Sequence, residues 1–327
     1  MSNVVVDTGT TCEGQPAIIM ESPVWRVVVL PSLGGKIWSL EYRGFDFLWH
    51  NPKLKPGPVP SGASYDENWV GGWDEIFPCD APYVHEGKPF PDHGEWWNAV
   101  WQCEIAHEQG AALLHLSAHG HVTGAQFDKW IRVPASGSAL QLAYRILNPG
   151  EALPYLFKLH PALRISTDTR IILPECRFTP DTEFCTWFHA EGQSFRWPLG
   201  QKADGSPIDL AQAQTSASPA ILFGHAAELE HGYCGILYPE QKVGLALIFP
   251  LQSLPYCWLF ASYGGFQDHE VVVLEPCTTN SWRLEESLRN GSARQLGKGA
   301  TFETAVSLMV VETDREEEFS RVLQRTI

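Results

Sequence analysis

Three short stretches carry side chains able to move protons. In YLFKLHPAL, residues 155–163, strand alternation sets Tyr155, Phe157 and Leu159 on one face and Leu156, Lys158 and His160 on the other, with Pro161 ending or edging the ladder. In EVVVLEP, residues 270–276, Val271, Val273 and Glu275 share a face, and Pro276 stops the strand. A carboxylate after two inward-looking valines is costly unless something uses it. In DHGEWW, residues 92–97, His93 is flanked by Asp92, Gly94 and Glu95. Imidazole and carboxylate are the residue types of general acid–base catalysis. Taken singly each has an ordinary explanation: a packed strand-end histidine, a solvated glutamate, a turn histidine capped by its neighbours. Their combination points to chemistry.

The elements that must position these residues are short β-type runs broken by glycine, proline and asparagine. WRVVVL (25–30), KIWSLEY (36–42), FDFLW (45–49), AVWQCEIA (99–106), AALLHLSA (111–118), FDKWIRV (127–133) and ALQLAYRIL (139–147) fill the first half. YLFKLH, RIIL, AILF, CGILY, VGLALIF, YCWLFAS, EVVVLEP and TAVSLMVVE fill the second. Residues 139–147 show the cleanest period of two, with Leu140, Leu142, Tyr144 and Ile146 on one face and Gln141 and Arg145 on the other. Helix signals are sparse. Thr313 and Glu316 have capping-box spacing ahead of a helix over about 314–325, and a weaker one spans 282–288 and ends at Gly291. About fifteen strands with almost no crossover helices exclude parallel βαβ folds. The expectation is an all-β fold: a large antiparallel two-sheet sandwich with a short C-terminal helix, residues 1–327 forming one domain. KLKPGPVPSGAS (53–64) reads as a long loop over a binding face or as a junction.

Composition narrows the partners. The chain is 44% hydrophobic and 19% charged, which suffices for a large core. A formal charge of −15, without a run of lysines or arginines, argues against nucleic acid and against an anionic membrane surface. The first residues, MSNVVVDTGTTCEG, lack a basic start and an apolar core, and no stretch approaches the roughly 20 apolar residues of a membrane span, so a cytoplasmic protein is expected. The eight cysteines are spread singly, with no C-x-x-C pair, which suggests reduced, mostly buried thiols.

The segments LGGKIWSLEYRGFDFLWHNP, GGWDEIFPCDAP followed by DHGEWW, KLHPALRI, VVVLEPCTTN and GKGATFETAVSLMVV, in this order, resemble the galactose mutarotase-like superfamily, the aldose 1-epimerases and their relatives. The resemblance spans nearly the whole chain and implies a β-supersandwich with a sugar in an open cleft and no cofactor. Residue by residue it implies His93 as the first family histidine, His160 as the second, acting as general acid, and Glu275 as general base. The sequence departs from the galactose type after Phe-Pro, where an Asn-Arg pair is expected and Cys79, Asp80, Ala81 and Pro82 stand; Asp80 is kept as a substrate-binding candidate.

Interconverting the anomers of a free sugar requires the anomeric hydroxyl to lose a proton and the ring oxygen to gain one, which one base and one acid accomplish. Glu275 as carboxylate and His160 as imidazolium would each favour the charge of the other, with His93 holding a hydroxyl or the developing oxyanion. Sugars offer flat C–H faces, so Trp73, Trp96 and Trp97 are candidate stacking platforms, although they could instead plug the end of the sandwich. Lys158 and Lys36 would meet a phosphate or sulfonate on the sugar if either reached the cleft. Two other readings stay open: a metal-dependent β-fold enzyme using His93-x-Glu95 and His119-x-His121, and a non-catalytic carbohydrate-binding or regulatory module. A different sugar reaction on the same pair, isomerisation or elimination, is a third.

Overall fold

The computed structural model describes residues 4–185, 187–188, 193–214 and 219–327. Two antiparallel sheets face each other, one of twelve strands and one of eight. The centre of the larger sheet runs, side by side, Lys36–Tyr42, Trp73–Ile76, Lys158–Arg164, Glu270–Cys277, Tyr256–Tyr263 and Ala220–Ala227. The smaller sheet is built around Thr301–Val311, Ala139–Leu147, Gln126–Pro134 and Ala111–His119. In Ala139–Leu147 the expected alternation is observed: Leu140, Leu142, Tyr144 and Ile146 are buried toward the other sheet. Very short strands such as Tyr83–His85 and Lys88–Phe90 had too little sequence to show a period.

The central strands of the larger sheet are covered on both faces, so Lys158–Arg164 and Glu270–Cys277 are buried along nearly their whole length, Lys158, His160 and Glu275 included. One face of Glu270–Cys277 sends Val272 and Leu274 into the core between the sheets. The other turns Val271 and Val273 toward Tyr65, Trp69 and Trp97. Loops build a second apolar layer on that outer face, and the functional candidates lie beneath it.

Among the described residues, three helices accompany the sheets. α1 (Tyr65–Asn68) follows the proline-rich segment and is capped by Ser64, whose Oγ accepts from the Glu67 amide. α2 (Leu284–Asn290) ends at Gly291 in the left-handed conformation, as the sequence suggests. α3 (Glu316–Thr326) starts slightly later than expected, because the Thr313 hydroxyl bonds the Arg315 amide and Glu318 instead of capping the helix directly. Phe319 and Leu323 seat α3 on the outer face of the smaller sheet. Among the described residues no helix is long and apolar enough to cross a membrane.

The core between the sheets also encloses an ion pair. Lys129, on the apolar face of Gln126–Pro134, reaches across to Glu75 with Nζ 2.8 Å from Oε1, and the Tyr144 hydroxyl donates to the same oxygen at 2.9 Å. Both charged side chains are fully enclosed. An ion pair so placed ties the two sheets through a bond that tolerates no vacancy.

Candidate active site

Strand register assembles the site. His160 pairs with Asp74 on one side; on the other, Lys158 pairs with Cys277 and Ala162 with Val273, so His160 lies level with Glu275. Trp258 is in turn opposite Glu275. Asp74, His160, Glu275 and Trp258 therefore form a row across four strands, on the outer face. His93 arrives from the loop above, with φ of 54° and its amide bonded to the Asp80 carbonyl at 2.7 Å. The residue after it must be glycine: a Cβ on Gly94 would lie 1.9 Å from the Phe77 carbonyl oxygen.

The polar floor is a connected charge network. Lys158 is sandwiched between Asp80, which its Nζ contacts closely, and Glu275, whose Oε2 is 2.6 Å from Nζ. It also lies over the Trp258 ring, 5.2 Å from the centroid. His93 places Nδ1 2.8 Å from Asp92 Oδ1 and Nε2 3.3 Å from Asp80 Oδ1, and its ring stacks on Tyr65 at 4.0 Å. Burial opposes charge on His93, but Asp80 and Asp92 outweigh it and raise its pKa. His160 behaves oppositely: burial, then His93, Lys158 and Lys36, push it well below the ordinary histidine value. Burial raises the Glu275 carboxyl, with Lys158 opposing. His160 Nε2 stands 3.9 Å from Glu275 Oε1, too far for a hydrogen bond, so both atoms keep their capacity for a third party.

Above this floor lies a cleft of about 150 Å³. Its apolar wall is aromatic: Trp69, Phe184, Phe223, Phe260, Phe266 and Trp282. Asp66, Asp80, Asp92, His93, Lys158, His160 and Glu275 supply the polar groups. Of the residues singled out in the sequence, His93, Asp80, Lys158, His160 and Glu275 thus converge. Trp73, Trp96, Trp97 and Lys36 do not. Trp73 is fully buried between the sheets, because odd-numbered residues of Trp73–Ile76 face the core and Asp74 faces the site. Trp96 is likewise in the core, stacked between Phe77 at 4.3 Å and Phe127 at 4.1 Å. Stacking against a ligand is therefore not the role of either. Trp97 packs edge-on against Tyr65, and with Lys36 it lines an adjacent cavity behind that ring instead of the cleft. Lys36 is bonded to Asp74 and to the Gly71 carbonyl.

Sequence reasoning missed Tyr65, Asp66, Trp69 and the phenylalanines. A signal for α1 existed: Ser64 and Glu67 have capping-box spacing. Trp258 and Phe260 share a face in YCWLFAS by the same period of two that placed His160. Of the residues of the metal reading, Glu95 and His121 approach to 3.7 Å, but His93 is turned away to Asp92 and Asp80, and the other two have partners of their own. Glu95 caps the amide of Val122 and bonds the Thr123 hydroxyl, while His121 meets Ser61. Among the described residues, no three His, Cys, Asp or Glu side chains converge as a metal site would require.

Comparison with known proteins places this architecture. No protein-family model matches the chain, and no curated protein matches its sequence. Solved structures do match. A candidate aldose 1-epimerase from Klebsiella pneumoniae superposes with a TM-score of 0.71 over 98% of this chain and 86% of its own, at 13% identity. A galactose mutarotase-like protein from Clostridium acetobutylicum gives 0.69 over 95% and 99%, at 14% identity. A candidate aldose 1-epimerase from Escherichia coli K12 gives 0.63 over 90% and 98%, at 18% identity. The chain has the galactose mutarotase-like fold.

Proposed function

We propose that the chain opens and recloses the hemiacetal ring of a free, uncharged aldose, interconverting its α and β anomers, with Glu275 and His160 as the proton-exchanging pair. The observation that carries this reading is their juxtaposition: Nε2 and Oε1 lie 3.9 Å apart, unbonded to each other, on the floor of an aromatic-walled cleft. One group takes the proton of the anomeric hydroxyl while the other protonates the ring oxygen; the aldehyde carbon turns, and the transfers reverse on closure. Rings such as Trp69 and Phe260 offer the faces on which a sugar's C–H side can lie. Lys158 holds charge on Glu275 against its burial, and His93, held by two aspartates, can donate to a sugar oxygen.

The substrate is uncharged because the cations of the cleft are already engaged. Lys158 serves Asp80 and Glu275, while Lys36 serves Asp74 from behind Tyr65; among the described residues no other lysine or arginine lines the cleft. A phosphorylated or sulfonated aldose would meet Asp66, Asp80, Asp92 and Glu275. We expect the acceleration of anomer exchange for a neutral aldose to exceed that for its 6-phosphate by about tenfold or more, a difference of about 1.4 kcal/mol. Preference for the phosphate, measured by the same exchange assay, would overturn this assignment.

The pKa shifts fix the pH dependence. The pair is active with one proton between its members. Activity is lost as pH falls through the Glu275 pKa, which is raised, and as pH rises through the His160 pKa, which is lowered. The two limbs therefore approach each other from the ordinary values of about 4.3 and 6.5. We expect kcat/KM to follow a narrow bell on the acid side of neutrality, to be on its falling limb already below about pH 6.5, and to keep falling between about pH 6.5 and 8. A profile flat across that interval would contradict this pairing.

A further inference from the structure

Tyr65 touches both candidate histidines, and its hydroxyl has one hydrogen to give. Two atoms lie within reach: Asp74 Oδ2 at 2.8 Å and His160 Nδ1 at 3.2 Å. Asp74 is buried and bonded to Lys36, whose Nζ also donates to the Gly71 carbonyl at 2.9 Å. Asp74 is the carboxylate partner of the Lys36 ammonium in a buried ion pair, and a carboxylate only accepts. The Tyr65 hydrogen therefore goes to Asp74. What Tyr65 turns toward His160 is a lone pair, and Nδ1 must carry the hydrogen that meets it.

We propose that Lys36, Asp74 and Tyr65 form a buried relay that fixes His160 with its hydrogen on Nδ1, so that every proton His160 gains or loses passes through Nε2. That nitrogen faces Glu275 and the cleft. Without the relay, neutral imidazole divides between two tautomers, and one of them offers the cleft an N–H where the reaction cycle needs a lone pair. Tyr65 suits this duty because burial raises its pKa well above the ordinary tyrosine value, with Asp74 adding to the effect, so it stays a neutral hydroxyl. Its ring is also clamped, stacked on His93 at 4.0 Å and edge-on to Trp97 at 5.1 Å. The groups facing His160 are thus Tyr65 at Nδ1, Glu275 at Nε2, and the charges of His93, Lys158 and Lys36 around it. Tyr65 and Asp74 are positioning residues that act through His160; their effect on rate rests on the acid–base reading above, whereas the tautomer does not.

The test is the nitrogen NMR spectrum of the ¹⁵N-labelled full chain, with the His160 signals identified by their loss in His160→Gln. We expect the wild type to show neutral His160 protonated on Nδ1 with a bare Nε2. In Tyr65→Phe the Nδ1 partner is gone; we expect Nε2–H to appear, and kcat for anomer exchange to fall about 10- to 100-fold with KM nearly unchanged. Asp74→Ala, which removes the acceptor and frees the Tyr65 hydrogen to point at His160, should shift the tautomer the same way. Nε2–H in the wild type would overturn the relay without any variant, as would an unchanged His160 spectrum in Tyr65→Phe. If the spectra behave as expected but no sugar exchanges, the relay stands and the proposed reaction falls.

Discussion

Glu275→Gln lowers catalysed anomer exchange by about 10²- to 10⁴-fold while leaving the fold and sugar binding in place. The substitution keeps the side chain's size and removes its capacity to hold a proton. Lys158 loses one of two partners but keeps Asp80, so no buried cation is left unpaired. The row of Asp74, His160 and Trp258 across the sheet is set by backbone register and does not depend on the carboxylate. The loss should therefore appear in kcat. A KM rise with kcat preserved would instead mean that Glu275 grips the sugar and another group does the chemistry. Titration with a neutral aldose, read by tryptophan fluorescence from the Trp69 and Trp282 wall, separates the two.

Lys129→Met destabilises the protein by about 3–5 kcal/mol, the usual result of removing one partner from a buried pair. Glu75 would remain enclosed between the sheets, bonded among the described residues only to the Tyr144 hydroxyl. Burial already raises its carboxyl pKa with Lys129 present; without that cation, folding would require protonating it or stranding a charge. Adding Glu75→Gln removes the stranded charge and keeps an acceptor for Tyr144, so the double variant should recover most of the loss. Urea unfolding at constant m-value reads both effects. A single variant within about 1 kcal/mol of wild type would show that the pair contributes little to joining the sheets.

Much of the fold could be read from the sequence because its signals are local. The period of two in Ala139–Leu147 sets one face of the core, and the same rule in YLFKLHPAL puts Lys158 and His160 on the outer face together. Applied to WDEI it turns Trp73 inward and Asp74 outward; the aromatic character of the stretch instead suggested Trp73 as a stacking platform, and its burial between the sheets corrects that. What sequence could not supply is the third dimension of the loops. Tyr65 precedes His160 by 95 residues, yet their side chains meet at 3.2 Å. Lys158 looked free to greet an anion because nothing local shows that Asp80, 78 residues earlier, already holds it. Trp96 and Trp97 are neighbours in sequence, but one stacks in the core and the other packs on Tyr65, a divergence fixed by the turn at His93 and Gly94.

The measurement that bears most directly on this account is magnetisation transfer between α and β anomers by NMR, run over a panel of neutral aldoses with purified wild-type protein. We expect at least one sugar to exchange faster than in buffer alone, with a rate proportional to enzyme concentration and lost in Glu275→Gln. If no neutral aldose exchanges faster than its uncatalysed rate while some bind, the cleft is a carbohydrate-binding site and the acid–base reading of Glu275 and His160 is wrong.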